Sequence, residues 1–259
     1  MQNSAWIALA IGAALLTAGT VAINDPPGMA QERARTASTR QMSGVHGLVV
    51  VEFFTSQGCS SCPPSDRLAA KLAAESGVLV IQRPVTYWDR LGWTDTLGKP
   101  VNTSLQRAYA ARTLRGRNGV YTPQAVLAGK VGLVGSDEAS LRQEIAKART
   151  GNRTQIRLMR KTGRPTEIIV EGEARRRAGV MLVGLDSSES VVVSRGENSG
   201  RTLHYTNIWK GEAQLGTFAG GKTTLDVSPI DRRIPGADRY AVIVREGTDG
   251  PILAGAMLP

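Results

Sequence analysis

One stretch, residues 49–66 with the sequence VVVEFFTSQGCSSCPPSD, constrains the fold of this chain more than any other. An apolar run at 48–54 predicts a buried strand, and Cys59 and Cys62 follow it after a short turn. An amphipathic run at 65–74 then predicts a helix. The sequence therefore places a Cys-x-x-Cys pair between the end of a strand and the start of a helix.

The position of this pair favours thiol chemistry. The first N–H groups of a helix have no partners within the helix, and the helix dipole is positive there, so a thiolate at Cys59 would be stabilised. Cys62 is close enough along the chain to resolve a mixed disulfide formed at Cys59. A plain disulfide staple is one alternative, although a loop of about four residues would gain only about 2 kcal/mol. A thiolate metal site is another.

Strand and helix patterns alternate along residues 47–149. Asn102 or Thr103 is predicted to cap one helix and Ser136 another, while Gly129-Lys130 predicts a hairpin turn. The alternation predicts an α/β domain with a largely parallel sheet. After the first strand, the predicted elements are strands at 78–85, 124–128 and 131–134 and helices at 65–75, 103–114 and 137–148.

Several motifs in this region occur together and in order. They are EFFTSQGCSSCPPSD, VTYWDRLGWTD, QRAYAAR and NGVYTPQAVLAG, and GENSGRTLHYTNIW follows at 196–209. On these motifs the chain resembles the secreted thioredoxin-like family known as domain of unknown function 1223, most closely over about residues 48–148. The resemblance implies a thioredoxin-like fold for residues 47–149, and the family has no settled substrate.

The resemblance also implies roles for individual residues. Thioredoxin-like folds carry a cis-proline beside the redox cysteines, which predicts a cis Thr122–Pro123 bond and a substrate groove shaped by Pro123. Glu52 matches the buried acid of thioredoxins, with Glu for Asp and one extra residue before Cys59. It is therefore a candidate proton acceptor for Cys62, with a pKa raised by desolvation. The alternative is an edge or solvent-facing glutamate.

The aromatic, turn-rich segment at 86–100 follows the second predicted strand. Loops at the carboxyl ends of parallel strands commonly line a site. Trp88, Asp89 and Trp93 in this segment, together with Thr122, are therefore candidates for contact with a partner polypeptide. Equally, these side chains could cap the core or pack the two halves of the chain together.

From residue 150 onward the pattern changes to short β-rich runs separated by Gly, Ser, Asn and Asp. Such spacing predicts an antiparallel sandwich. We therefore expect an α/β thioredoxin-like domain at 47–149 followed by an all-β sandwich-like domain at 150–259. The predicted strands lie at 154–159, 167–170, 180–185, 190–194, 203–209, 213–218, 223–227, 240–245 and 252–256.

The N-terminal segment predicts export. Residues 5–23 are apolar and uncharged, which suits a cleavable signal or an uncleaved membrane anchor within residues 1–30. Residues 31–46 are polar and are predicted to form a linker. In either case the remainder of the chain would lie outside the cytoplasm, in the periplasm or secreted, where a disulfide persists.

Charge and histidine content exclude other classes of function. The net charge is +10, but Lys and Arg are scattered, aromatic residues are few and no nucleic-acid-binding module is recognisable. With only His46 and His204 available, a Ser-His-Asp hydrolase is poorly supported. A metal site of Cys59, Cys62 and His204 has suitable ligand types, but nothing in the spacing demands it, and a hydrogen-bonded strand histidine is the default expectation.

The sequence predicts an exported thiol–disulfide oxidoreductase that needs no cofactor. Cys59 would exchange with a cysteine-containing envelope protein or redox partner, and Cys62 would resolve the mixed disulfide. This prediction requires the sulfur atoms to lie at a helix start with an open path to them. The alternatives are a binding protein with a static disulfide and an extracytoplasmic copper chaperone. The sequence leaves the oligomeric state and the direction of electron transfer open.

Overall fold

The computed structural model describes residues 41–160 and 164–259. The predicted signal or anchor at 1–30, the linker up to residue 40 and the side chain of His46 lie outside the described residues. Among the helices that are described, none has the length and apolar character needed to cross a membrane.

In the first half of the described chain, strands and helices alternate as the sequence predicts, and every element named after the third helix is a strand. The first half contains β1 (Gln41–His46), β2 (Val49–Thr55), α1 (Pro63–Ala73), β3 (Val78–Pro84), α2 (Pro100–Ala111), β4 (Arg115–Gly116), β5 (Gln124–Leu127), β6 (Val131–Val134) and α3 (Glu138–Gly151). The second half contains β7 (Thr154–Arg160), β8 (Thr166–Gly172), β9 (Ala178–Val192), β10 (Thr202–Phe218), β11 (Gly221–Val227), β12 (Arg239–Glu246) and β13 (Ile252–Met257).

The strands form two sheets. The larger sheet has the order β13-β12-β9-β10-β3-β2-β5-β6-β4, and the smaller has the order β1-β7-β8-β11. Within the larger sheet β2 is parallel to β3 and antiparallel to β5. Strand β10 runs parallel to β3, with Ile208 opposite Gln82, so strands from both halves of the chain share one sheet. The division at residue 150 into two separate domains stays a prediction.

Apolar side chains join these elements in two principal layers. Helices α1 and α3 bury Leu72 and Leu141 against Phe53 and its neighbours in β2, β3 and β5. The smaller sheet packs against the β9, β12 and β13 end of the larger one, where Ile156 and Val242 share a cluster. Burial of this apolar surface is the main favourable contribution to folding.

Local differences from the sequence predictions have physical causes. Residues 41–46, predicted as linker, form β1, because main-chain pairing with β7 needs no hydrophobic period. Helix α2 begins at Pro100, and the predicted cap Asn102 instead accepts a hydrogen bond from Arg83 and donates one to the carbonyl of Pro84. The cap of α3 is Asp137, which accepts from the Ser140 N–H, rather than Ser136.

Two strands are longer than the sequence predicts. Strand β9 joins the runs predicted at 180–185 and 190–194, and β10 joins those predicted at 203–209 and 213–218. The pairing register of β10 with β9 shifts between Trp209 and Gly211, so Lys210 is the extra residue of a bulge, and the strand continues through Gly211, which pairs with Gly184. Long-range pairing thus overrides the local turn signal.

Candidate functional site

The Cys-x-x-Cys pair lies where the sequence predicts, between β2 and the start of α1. Cys62 is the N-cap residue of α1, followed by two prolines, and the Asp66 N–H donates to its carbonyl at 3.0 Å. The Cys62 N–H in turn donates to the carbonyl of Cys59 at 3.1 Å. Cys59 and Cys62 form a disulfide, with their Cα atoms 5.4 Å apart.

Both cysteines are covered, whereas the two serines between them are exposed. Cys59 and Cys62 are each 0% exposed, so the predicted open path to the sulfur atoms is not met in this state. The hydroxyl of Ser61 lies 3.4 Å from the sulfur of Cys59. In the reduced protein this hydroxyl could donate a hydrogen bond to a Cys59 thiolate.

A loop from the second half of the chain is hydrogen-bonded to the backbone around the pair. We call residues 193–201, between β9 and β10, the clamp loop. The buried side-chain amide of Asn198 donates to the carbonyls of Gln57 and Cys59, at 3.0 and 2.9 Å. The carboxylate of Glu197 accepts from the Ser60 N–H at 3.1 Å, and hydrogen bonding to Ser60 lowers the pKa of Glu197.

The clamp loop belongs to the GENSGRTLHYTNIW motif, but the sequence did not predict its contact with the cysteine segment. Arg201 supports the loop by donating to Asn198 Oδ1 at 2.8 Å. A polar segment between two strands carries no signal for a partner about 140 residues away, so pattern alone would not have found this contact.

The aromatic loop after β3 also packs against the turn before Cys59. The Trp88 indole N–H donates to the hydroxyl of Thr122 at 2.8 Å, and the Cβ of Trp88 lies against Gly58. The Trp93 indole N–H donates to Gln57 Oε1 at 2.9 Å. Three of the four predicted partner-binding residues therefore gather beside the disulfide.

The fourth residue, Asp89, has a structural contact of its own. Its carboxylate accepts from the Asp95 N–H at 3.1 Å, within the same loop. Trp93 also packs against the cluster that contains Leu203 and Tyr205 of β10. These contacts agree with the alternative in which the loop caps the core and packs the two halves together, and contact with a partner stays a prediction.

The Thr122–Pro123 bond is cis, as predicted from the resemblance. Pro123 is buried, and its side chain lies beside Gly135 together with Ser65 of the first turn of α1. The segment before β5 is thus close to the start of α1. A role for Pro123 in shaping a substrate groove stays a prediction.

The expectation for the pKa of Glu52 is wrong. Glu52 is buried, but its Oε1 accepts from Arg83 Nε at 2.6 Å and from Arg245 Nη2 at 2.7 Å, and Tyr109 donates to its Oε2. Burial alone would raise the pKa of Glu52, but Arg245, Arg83 and Tyr109 outweigh it and lower the pKa to about 2. Glu52 therefore stays ionised near neutral pH.

A different acid has the raised pKa that was expected of Glu52. Asp66 in α1 is buried, and its Oδ1 accepts from Gln82 Nε2 at 2.8 Å. Burial raises the pKa of Asp66 to about 8, and the Thr55 hydroxyl and the Gln82 amide lower it only in part. The sequence shows only an acid in the first turn of a helix, a common surface feature, so Asp66 was missed.

Metal ligands do not gather at the disulfide in the described part of the chain. No group of three or more His, Cys, Asp or Glu residues there could hold a metal ion. His204 is an exposed strand residue whose Nδ1 lies 2.8 Å from the Ser190 hydroxyl, which confirms the expectation of a hydrogen-bonded strand histidine. The copper-chaperone alternative stays a hypothesis.

A cavity of about 580 Å³ lies elsewhere in the molecule. Leu48, Lys130, Ala148 and Ile252 are among its lining residues, and neither cysteine is. The disulfide therefore does not open into this cavity.

Comparisons with known proteins give one family and two similar solved structures. Residues 50–245 match the family model described as protein of unknown function (DUF1223). The crystal structure of protein AGR_C_4864 from Agrobacterium tumefaciens is similar, with a TM-score of 0.68 and 28% identity over 81% of this chain and 93% of that one. HBP35 of Porphyromonas gingivalis resembles this chain in fold alone, with a TM-score of 0.51 and 13% identity over 82% of this chain and 75% of that one. Nothing matches among the curated proteins.

Proposed function

The chain belongs to the family described as protein of unknown function (DUF1223), and from this premise we propose that it is an exported thiol–disulfide oxidoreductase. The observation that carries the proposal is the Cys59–Cys62 disulfide, which closes at the first turn of α1. A helix start and the Ser61 hydroxyl 3.4 Å from the Cys59 sulfur are both suited to stabilising a Cys59 thiolate.

The element order supports the thioredoxin-like part of the proposal. Strands and helices follow one another as β2, α1, β3, α2, β5, β6 and α3, apart from the short strand β4. The cis Thr122–Pro123 bond directly precedes β5, and Trp88 ties Thr122 to the turn before Cys59. These are the relations that the resemblance to thioredoxin-like proteins implies.

The proposed reaction exchanges one disulfide for another. A substrate thiolate attacks the sulfur of Cys59, the bond from Cys59 to Cys62 breaks, and Cys62 leaves as a thiolate. A second substrate thiolate then attacks the substrate sulfur that is bonded to Cys59, and Cys59 leaves as a thiolate. The substrate dithiol loses two electrons and becomes a disulfide, while the protein gains them as a dithiol. The reverse sequence reduces a substrate disulfide.

The surroundings of the disulfide must open for this reaction to occur, because both cysteines are fully buried, and we infer that the clamp loop is the part that moves. Asn198 and Glu197 hold the redox segment through hydrogen bonds to backbone atoms of Gln57, Cys59 and Ser60. Such bonds contribute about 1 kcal/mol each, so the loop can open without global unfolding. A substrate polypeptide would take the place of the loop.

Trapping tests the proposed reaction. In a Cys62→Ala variant, Cys59 cannot be released from a mixed disulfide, so we expect adducts with envelope proteins and with glutathione that a reductant removes. A variant that lacks both cysteines is the control. Absence of adducts, including the glutathione adduct, would contradict an oxidoreductase.

The complete burial of both cysteines favours a second candidate, a binding protein with a static disulfide. The reduction potential separates the two. A structural disulfide is expected below about −300 mV, whereas an exchanging one is more easily reduced. Equilibration of the full chain with glutathione buffers therefore decides between them.

A further inference from the structure

The first observation is the position of Asp66 relative to Cys62. The two residues are four apart, and the Asp66 N–H donates to the Cys62 carbonyl at 3.0 Å as α1 begins. Residues four apart lie on the same face of a helix, and the Cα–Cβ bond points toward the helix start. The Asp66 side chain therefore leans toward the cysteine end of α1. It is only 3% exposed.

The second observation is that this carboxyl group is incompletely bonded. Its Oδ1 accepts from Gln82, but Oδ2 has no hydrogen-bond partner in the described part of the chain. The hydroxyl of Tyr205 is also buried and has no partner there, whereas the hydroxyl of Thr55 lies close enough to Asp66 to lower its pKa without meeting the geometry of a hydrogen bond. Buried polar groups are normally hydrogen-bonded, so an incompletely bonded carboxyl group about one helical turn from Cys62 calls for an explanation.

The charges that face Asp66 do not favour its ionised form. Burial raises the pKa of Asp66 to about 8, and the neighbouring carboxylate of Asp95 adds to the effect. Thr55, Gln82 and Arg67 lower the pKa only in part. Burial, Asp66 and Asp95 also raise the pKa of Tyr205, which therefore stays neutral. Packing alone gives no reason for a carboxyl group here, because its burial destabilises the folded chain.

We propose, on the basis of the proposed function, that Asp66 carries the proton of Cys62 during disulfide exchange. When the disulfide opens, Cys62 leaves as a thiolate and receives a proton from the Asp66 carboxylic acid, which becomes a carboxylate. When the disulfide closes, the carboxylate takes this proton back, and the Cys62 thiolate attacks the Cys59 sulfur of the mixed disulfide. The substrate sulfur then leaves with the electron pair of the broken bond.

Glu52 is unsuited to this role. Both of its oxygens are engaged, by Arg83 and Arg245 at Oε1 and by Tyr109 at Oε2. A carboxylate with a pKa of about 2 does not hold a proton near neutral pH. Asp66, in contrast, changes protonation state within the range in which thiols ionise.

Titration of Cys62 tests the inference directly. In a Cys59→Ala variant, Cys62 is a free thiol whose ionisation can be followed by ultraviolet absorbance and by alkylation rate against pH. With Asp66 present we expect two coupled steps, because each group affects the ionisation of the other. Adding Asp66→Asn should leave a single step. Asn mimics the neutral carboxyl group and keeps an acceptor for Gln82, so the variant is expected to fold.

A rate measurement gives a second readout. Resolution of a glutathione mixed disulfide on Cys59 should slow roughly a hundredfold at neutral pH in Asp66→Asn. The dependence of this rate on pH should then follow the single ionisation of Cys62, without the further step that Asp66 adds in the wild type. Tyr205→Phe is the matched control, because it removes an unpartnered polar atom from the same cluster without removing a carboxyl group. The rate of resolution in Tyr205→Phe should keep the pH dependence of the wild type.

The outcomes separate the two proposals. A full chain whose disulfide never exchanges with glutathione overturns the proposed function. The Cys62 titration needs no exchange, so a titration unaffected by Asp66→Asn overturns the role of Asp66 even if exchange occurs. Loss of the second step in Asp66→Asn, and not in Tyr205→Phe, supports it.

Discussion

Glu52 and Asp66 are both fully enclosed acids, and their neighbours give them opposite protonation states. Glu52 accepts from two guanidinium groups and a phenol, so its charge is compensated and its pKa falls to about 2. For Asp66, burial outweighs the compensation from Thr55, Gln82 and Arg67, and its pKa rises to about 8. The first acid therefore stabilises the fold as an ion, whereas the second is available for proton transfer.

Replacing Asp66 by Asn should stabilise the protein at neutral pH. The pKa of Asp66 is about 8 in the folded chain, against 3.8 for an unperturbed Asp carboxyl group such as that of the unfolded chain. The wild type therefore loses stability as pH rises from about 4 to 8. At pH 7 the loss is about 4 kcal/mol, and Asp66→Asn should remove it. Denaturant unfolding at pH 4 and pH 7 measures the difference.

The gain should fall below about 1 kcal/mol at pH 4, where Asp66 is protonated in the folded chain and only about half ionised in the unfolded chain. An Asp66→Asn variant with wild-type stability at pH 7 would mean that the carboxyl group is hydrated or paired in solution, which would contradict the burial on which its proton-carrying role depends.

Replacing Glu52 by Gln should have the opposite effect. It leaves the guanidinium groups of Arg83 and Arg245 enclosed without their shared carboxylate, and breaking a buried ion pair in this way costs about 3–5 kcal/mol. Because the folded pKa is lowered, the stabilising contribution of Glu52 is present above pH 4.5 and is lost as pH falls toward 2. Urea unfolding of Glu52→Gln at pH 7 measures this loss.

Glu173→Gln is the matched control for that experiment. It breaks the ion pair between Glu173 and Arg153, whose side chains are 69% and 75% exposed, respectively. The change in the free energy of unfolding should therefore stay below about 1 kcal/mol. Equal effects of the two substitutions would show that the Glu52 cluster is open to solvent.

At the scale of elements, we expect the clamp loop to limit access to the disulfide, because it is hydrogen-bonded to the backbone of Cys59 and Ser60. Asn198→Ala removes two hydrogen bonds to the redox segment, and at about 1 kcal/mol each their loss should favour the open loop by about thirtyfold. Reduction of the disulfide by dithiothreitol should accelerate by up to that factor. Stopped-flow tryptophan fluorescence or quenched alkylation measures the rate.

Ser199→Ala offers a control within the same loop. The Ser199 hydroxyl donates only to the carbonyl of Ser194 among the described contacts, so its removal leaves the redox segment untouched. Identical reduction rates in wild type and Asn198→Ala would show that access to the disulfide does not depend on this loop.

The elements that the sequence predicts correctly are those whose signals are local. The apolar run of β2, the hairpin of β5 and β6, and the cysteine pair before α1 can all be recognised within a few residues. Strand β1 and the full lengths of β9 and β10 depend on pairing with distant strands, so local turn signals mislead there.

The same distinction applies to the candidate site. Cys59 and Cys62 were predictable from spacing, and the cis bond at Pro123 from resemblance. The environment of Asp66 was not predictable, because it depends on the burial of its side chain and on Tyr205, which lies in a strand about 140 residues away. The amide of Asn198 reaches Cys59 across a similar separation. The sign of a pKa shift is set by such neighbours, which a linear pattern does not contain.

On the scale of the whole molecule, the second half of the chain completes the first. Strand β10 extends the sheet beside β3, and the Asn207 side chain donates to the carbonyl of Val80 at 3.2 Å. Arg245 of β12 supplies half of the charge that compensates Glu52 of β2. Asn198 donates to the carbonyl of Cys59. The surroundings of Glu52 and of the disulfide are therefore built from both halves of the chain.

A chain that ends at residue 151 should consequently fail to form a stable fold. It would expose the edge of β3 and the side chains of Leu79 and Ile81, which pack against residues of β9 and β12, and it would leave Glu52 without Arg245. An unpaired apolar edge also favours aggregation. We expect the shortened chain to give weak near-ultraviolet circular dichroism. The full chain should show one cooperative unfolding transition by both tryptophan fluorescence and far-ultraviolet circular dichroism. A shortened chain that unfolds cooperatively would instead establish two separate domains, and the second half would then be an addition to the redox unit rather than part of it.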